Sequence, residues 1–319
     1  SAASDVYKRQ VNTVNFSTKK FSWNTTLTLS HNKNSVKALT GEAVQLYEAK
    51  FGFNQNTHRI AVGEPLGQFY GYITEGLYQV DDFNYDASTQ TYTLKDGIPY
   101  HGDKGQIRPG MWKFKNLTGD DNVIDENDKT VIGNAQPKFY GGLNNSFTYK
   151  GFDLSIFLTF SYGNEVLNAT KLVTSKVGSL NYNALDVMNS SNRWMTINSD
   201  GQKVTDPGEL AALNAGKTVA AYHDAQQGDN YIHSWAVEDA SYLKLSNVTL
   251  GYTFPKNLIA RVGLKNLRLY ATGNNLLTWT KYSGFDPEVS TMKSGLTPGV
   301  DFGAYPLSRS FIFGLNVAF

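Results

Sequence analysis

The chain has 319 residues, with 29 basic against 28 acidic side chains and no cysteine. Without cysteine there is no disulfide scaffold, Cys-ligated metal site or cysteine nucleophile, and a net charge of +1 lacks the basic excess of a nucleic-acid binder. Aromatics are 13% of the chain and no apolar run is long enough for a transmembrane helix, which leaves a transmembrane β-barrel, whose apolar face is hidden by alternation, or a secreted β-sandwich.

Ser1 to Gln10 show no helix cap and no clear strand pattern, so residues 1–19 read as a poorly defined start. From Phe21 onward, period-two alternation dominates. Phe21, Trp23, Leu27 and Leu29 share one parity. Gln68–Gln79 and Trp112–Asn116 read as strands of unassigned direction. Phe139, Leu143, Phe147 and Tyr149 alternate with polar residues up to the tight Lys150-Gly151 turn, and Phe152 to Tyr162 then repeat the pattern. A short helix is expected at Ala184 to Met188. Val248, Leu250, Tyr252 and Phe254 form another face, followed by Leu267, Leu269, Ala271, Leu277 and Trp279. The chain ends on Phe311, Phe313, Leu315, Val317 and Phe319.

These strands are longer than the usual five or six residues of soluble sheets and match the roughly 9–11 of a tilted membrane-crossing strand. Tyr149, Phe152, Tyr162, Tyr252, Phe254 and Trp279 sit at strand ends, as in the aromatic girdles of an outer-membrane barrel. Short turns alternate with the long connections Gly163–Ala240 and Tyr282–Arg309. With the C-terminus on the periplasmic side, those long connections lie outside the cell. The polar parity, which carries Asp153, Ser155, Thr159, Arg268, Tyr270 and Thr272, then faces the lumen.

Six segments, in order, resemble the C-terminal barrel of the SusC/RagA family of TonB-dependent outer-membrane transporters of Bacteroidetes. They are GEPLGQFYGYITEGLYQ (Gly63–Gln79), GMWKFKNLTGDDNVIDENDKTVIGNAQPKFYGG (Gly110–Gly142), YKGFDLSIFLTFSYGNEVLN (Tyr149–Asn168), EDASYLKLSNVTLGYTFP (Glu238–Pro255), LRLYATGNNLLTWTKYSGFDPEVS (Leu267–Ser290) and GVDFGAYPLSRSFIFGLNVAF (Gly299–Phe319). The resemblance implies an all-β fold: about seven to ten antiparallel strands of a 22-stranded barrel, with long extracellular loops. It implies import of oligomeric nutrients (glycans, or peptides) across the outer membrane of a Gram-negative bacterium. A SusD-like lipoprotein would be the lid, and TonB would act through a plug region. Outer-membrane lipid would surround the wall. Phe311, Phe313 and Phe319 resemble a barrel-assembly signal. A full barrel needs roughly 220 residues in strands alone, so residues 20–319 are expected to be the C-terminal part of a longer protein. The alternative is a secreted carbohydrate-binding or adhesion module.

The turn from Asn116 to Asp128 is similar to a calcium-type loop, with Asn116, Thr118, Asp120, Asp125 and Asp128 as candidate oxygen ligands. Its departures from that pattern, such as Asp121 at the turn glycine, favour an acidic turn held by Asx bonds. Calcium is thus the one candidate cofactor. The five histidines are scattered, and neither a zinc spacing nor a nucleophile elbow is present, so no catalysis is expected. Trp194, Tyr222, Tyr231 and Trp235 in the long outer loop are candidates for stacking on sugar rings, against the alternative that they form that loop's own core.

Overall fold

The structure is a computed structural model that describes residues 2–41, 43–48, 56–119, 121–175, 184–221, 231–291 and 294–319. Seven long antiparallel strands form one sheet in strict sequence order. They are β1 (Ala2–Ser17), β2 (Phe21–Val36), β3 (Phe139–Tyr149), β4 (Phe152–Tyr162), β5 (Tyr242–Thr253), β6 (Asn266–Thr280) and β7 (Ser310–Ala318). Neighbouring strands are all consecutive, the meander of an up-and-down barrel wall.

The N-terminal segment departs from expectation. β1 runs from Ala2 and pairs with β2 from Ala2↔Val36 to Ser17↔Ser22. Its alternation is broken by Asp5 and Arg9, which share the parity of Tyr7 and Val11, and by a bulge between Val14 and Phe16. The register therefore comes from the partner strand rather than from the β1 sequence.

Register sorts the side chains into two faces. On one face, Trp23, Phe147, Leu154, Leu250, Ala271 and Phe313 lie opposite one another across six strands. On the other, Asn24, Ser146, Ser155, Thr249 and Thr272 form the matching polar row. The apolar face is bare: Leu250 is 50% exposed, Phe311 68% and Phe313 80%. In a sandwich this face would be packed against a second sheet, and no described element covers it.

Two aromatic rows bound the apolar face. Tyr149, Phe152 and Tyr252 are in register at one end, where Phe152 and Tyr252 rings lie 4.5 Å apart and Phe254 follows edge-on. Phe139 stacks on Tyr162 at 4.9 Å at the other end, with Trp279 two strands away. Phe139 and Tyr149 are ten steps apart on β3, about 33 Å along the strand. At a tilt of about 40° that becomes about 25 Å, the height of a barrel's lipid-facing band.

The three short connections lie at the Tyr149 end, with the chain terminus: residues 18–20, Lys150-Gly151, and 254–265. Lys150 and Gly151 both have positive φ (46° and 91°), as a type I′ two-residue hairpin requires. The other end carries residues 37–138, 163–241 and 281–309. Gln68–Gly71, Thr74–Leu77 and Trp112–Phe114 are strands, but they belong to this loop region and not to the wall. The expected helix at Ala184 to Met188 is only a 3-10 turn, Asp186–Met188, cut short where the Asn189 side chain accepts the N–H groups of Ser191 and Asn192. Helices form instead at Ala169–Thr174 and Pro207–Leu213, where Asn168 and Asp206 accept N–H bonds in the first turn.

Candidate functional site

The long connections build a cap over the loop end of the wall. Tyr72, Trp112 and Phe114 from the first connection share a core with Trp194, Leu210 and Ala220 from the second. A second core joins all three connections through Phe69, Leu172 and Val300. Backbone bonds complete the join. Tyr72 N donates to the Ile232 carbonyl, and Ser234 N to the Tyr72 carbonyl, both at 2.9 Å. His58 Nε2 lies 2.9 Å from the Pro298 carbonyl. Leu167 pairs in parallel with Val300. Glu238 accepts from Lys171 Nζ at 3.0 Å and from Ser283 N at 2.9 Å, so its carboxylate links the second connection to the third. Burial would raise the Glu238 pKa, but those donors outweigh it and hold the group below its usual value.

Buried histidines lie within the cap. Desolvation pushes His58 down to about 4 and His233 to about 3, although the Pro298 carbonyl works in the opposite direction on His58. Both are therefore neutral imidazoles at neutral pH.

The candidate aromatics divide. Trp194 is only 1% exposed, and a Cβ on Gly110 would collide with its ring, so the indole is an internal packing element with no face open to a ligand. Trp235 is half-buried, lies against Trp112 at 5.0 Å, and is covered by Lys171 Nζ 4.1 Å from the ring centre. Tyr231 packs edge-on to Tyr72 at 5.3 Å. Tyr222 lies outside the described residues.

In the acidic turn, Asp128 is fully buried. Its Oδ1 accepts from Leu117 N (2.6 Å), Thr118 N (2.8 Å) and Thr118 Oγ1 (3.1 Å), and its Oδ2 from Asp125 N (2.8 Å). Desolvation opposes ionisation, but these donors hold the carboxyl below its ordinary range. Asp125 accepts from Asn127 N at 2.7 Å. Asn116 Oδ1 is buried and has no hydrogen-bond partner among the described residues, and Asp120 lies outside them. Among the described residues, no three His, Asp or Glu side chains are grouped to hold a metal.

The polar face below the cap is tied by short bonds. Arg268 Nη2 and Nε reach the two Asp153 oxygens at 2.5 and 3.1 Å. Thr159 and Ser246 hydroxyls meet at 2.6 Å, and Thr249 and Thr272 at 2.9 Å. The Tyr270 ring lies over Gly314.

Two further residues belong here. Glu288, from the third connection, accepts from Tyr242 Oη at 2.7 Å and pairs with Lys244, clamping cap to wall. Simple alternation back from Val248 puts Lys244 on the apolar face. A bulge at Ser246 flips the parity and turns it to the polar face. A lysine on an otherwise apolar parity was the available signal. The cap also carries a polar cleft of about 550 Å³, lined by Glu75, Gln79, Asp82, Lys113, Lys217 and Thr218.

No family model matches the sequence. Among curated proteins, the chain is 33% identical over 98% of its length to TonB-dependent receptor P3 of Formosa agariphila. It is 27% identical over 95% of its length to TonB-dependent receptor SusC of Bacteroides thetaiotaomicron. It spans 28% and 25% of those two proteins, respectively. Its fold superimposes on a solved RagAB peptide importer in an open-open state with a TM-score of 0.68 at 18% identity, covering all of this chain and 29% of that one. Meander wall, paired aromatic rows, fused loop cap and sequence relationship agree: the chain is a β-barrel segment belonging to the SusC/RagA kind of TonB-dependent receptor.

Proposed function

We propose that this segment forms part of the wall and outer gate of an outer-membrane importer of oligomeric nutrients. The whole protein would draw energy through TonB, and a SusD-like lipoprotein would close over the cap. The reading rests on one observation above the others: a bare apolar face with two aromatic rows backs onto a hydroxyl- and amide-rich face that leads to a fused cap. The polar face would line the lumen and the cap would lie outside the cell. Asn24, Asn144, Ser155, Thr249 and Thr272 offer neutral donors and acceptors, which suits a glycan better than a charged chain. The wall would pass the cargo without altering it.

The test is uptake of labelled oligosaccharides and labelled oligopeptides by cells that carry or lack the intact gene, with a TonB-deficient strain as control. Gene- and TonB-dependent entry of oligosaccharide is expected. Entry of peptide alone would reverse the cargo class, and no gene-dependent entry of either would sink the importer reading.

A further inference from the structure

Phe157 interrupts the polar face of the wall. The register Thr26↔Asn144↔Phe157↔Asn247↔Asn274 crosses five strands, and Phe157 is its one apolar side chain. It is 37% exposed. Its ring leans over Gly142 of β3, where a Cβ would stand 2.9 Å from the Phe157 Cε2. The ring thus lies against bare backbone on one side and is open on the other. Two oriented amides flank it. Asn144 Nδ2 donates to Ser146 Oγ at 3.1 Å, and Asn144 Oδ1 accepts from Ser155 Oγ at 3.0 Å. Asn247 Nδ2 donates to Asn274 Oδ1 at 2.7 Å, and Asn247 Oδ1 accepts from Thr249 Oγ1 at 3.2 Å. A side-chain amide has two donor hydrogens and two acceptor lone pairs. Among the described residues, each amide keeps one of each, already aimed by its neighbours. The two stand on the strands either side of Phe157, about 9–10 Å apart. On β3 to β6 the charged side chains of this face are Asp153, Arg268 and Lys244. The first two pair with each other and the third with Glu288.

These features select a ligand. An open ring face takes C–H groups, and an amide with one donor and one acceptor left takes a hydroxyl, which both gives and accepts a hydrogen bond. An oligopeptide would bring terminal charges that find no unpaired counter-charge on these strands. We propose that Phe157, Asn144 and Asn247 form a subsite for one neutral sugar residue of the cargo, with its C–H face on the phenyl ring and its hydroxyls on the two amides. The subsite rests on the importer reading above, which turns this face to the lumen.

The test uses cells that carry the intact gene, with each variant present in the outer membrane at the wild-type level. The probe is a pool of fluorescently labelled neutral hexasaccharides, α- and β-linked, of glucose, galactose and mannose. Phe157→Leu keeps apolar bulk but loses the flat face, and should raise the concentration for half-maximal entry about ten-fold. Phe157→Tyr restores a flat ring and should recover most of that loss. Ile312→Ala, on the same face at the edge strand β7, should behave as wild type. An unchanged half-maximal concentration in Phe157→Leu overturns the subsite alone. So does TonB-independent leakage of a small dye in Phe157→Leu and Phe157→Tyr alike, which would make the ring a contact for a plug. Absence of gene-dependent hexasaccharide entry in the wild type overturns the glycan reading and the subsite together.

Discussion

Asp153 on β4 and Arg268 on β6 join over Gly251, the residue of β5 that lies between their strands. A Cβ at Gly251 would sit among the charged atoms of both side chains. The missing side chain is what allows a bidentate pair to bridge two strands that do not touch. Arg268→Ala should destabilise the wall by about 1 kcal/mol, since a partly exposed charge-assisted pair contributes little more. Unfolding in urea, followed by the loss of folded-barrel gel mobility, should show this. The swapped pair Asp153→Arg with Arg268→Asp should recover part of the loss, and Gly251→Leu should resemble Arg268→Ala.

Gly314 on β7 accepts the ring of Tyr270 from β6. Gly314→Val should force that ring aside and destabilise the wall by about 1–3 kcal/mol. Adding Tyr270→Ala should relieve part of the damage in the same unfolding measurement. If the double variant is no better than the single, the ring is not the obstacle.

Trp194→Ala should leave a large void in the cap and weaken it by about 3–5 kcal/mol. Limited proteolysis of intact cells should then cut within residues 163–241 while the wall keeps its folded gel mobility. Loss of wall and cap together would show that the two fold as one cooperative unit.

The strand sequences carried most of the wall. β3, β4, β5, β6 and β7 are legible because one face of each is apolar and the other polar, so alternation holds at nearly every step. β1 escaped because charged residues interrupt its pattern and its pairing is supplied by β2. Lys244 escaped because a bulge changes parity, which a strict period of two does not contain. The cap was less legible for another reason. Its strands are short and buried from several sides, so Trp194 and Phe114 meet through the fold and not through any local spacing. A tryptophan in a long polar loop looks the same in sequence whether it will stack on a sugar or close a core.

His58 and His233 link cap stability to acidity. Both pKa values fall on folding from 6.5, to about 4 and about 3. Below pH 6.5 the unfolded chain binds protons that the folded cap refuses. The stability they contribute is therefore complete above pH 6.5, declines as pH falls towards 4 and then 3, and levels off below. Protease resistance of the cap, measured from pH 7 to pH 3, should follow that course. His58→Gln should flatten the upper part of the decline.

Asp128 takes four donors from its own turn. Asp128→Asn removes the acceptor charge and should loosen residues 116–128, seen as faster amide exchange at Leu117 and Thr118, with a cost of about 1–3 kcal/mol. Chelation of calcium from the wild type should leave those amides protected. Loss of protection on chelation would show that an ion, rather than the four donors, holds the turn.

Phe69, Leu172 and Val300 belong to three different connections, yet they share one interior. None of those connections can swing aside alone without tearing open a surface that all three seal. Motion at the mouth must then be carried by the assembly as one piece, pivoting where it leaves the wall, or be confined to side chains on its outer skin. Under the proposed import function, a change of cargo preference would then accumulate on that skin while the shared interior stays unchanged.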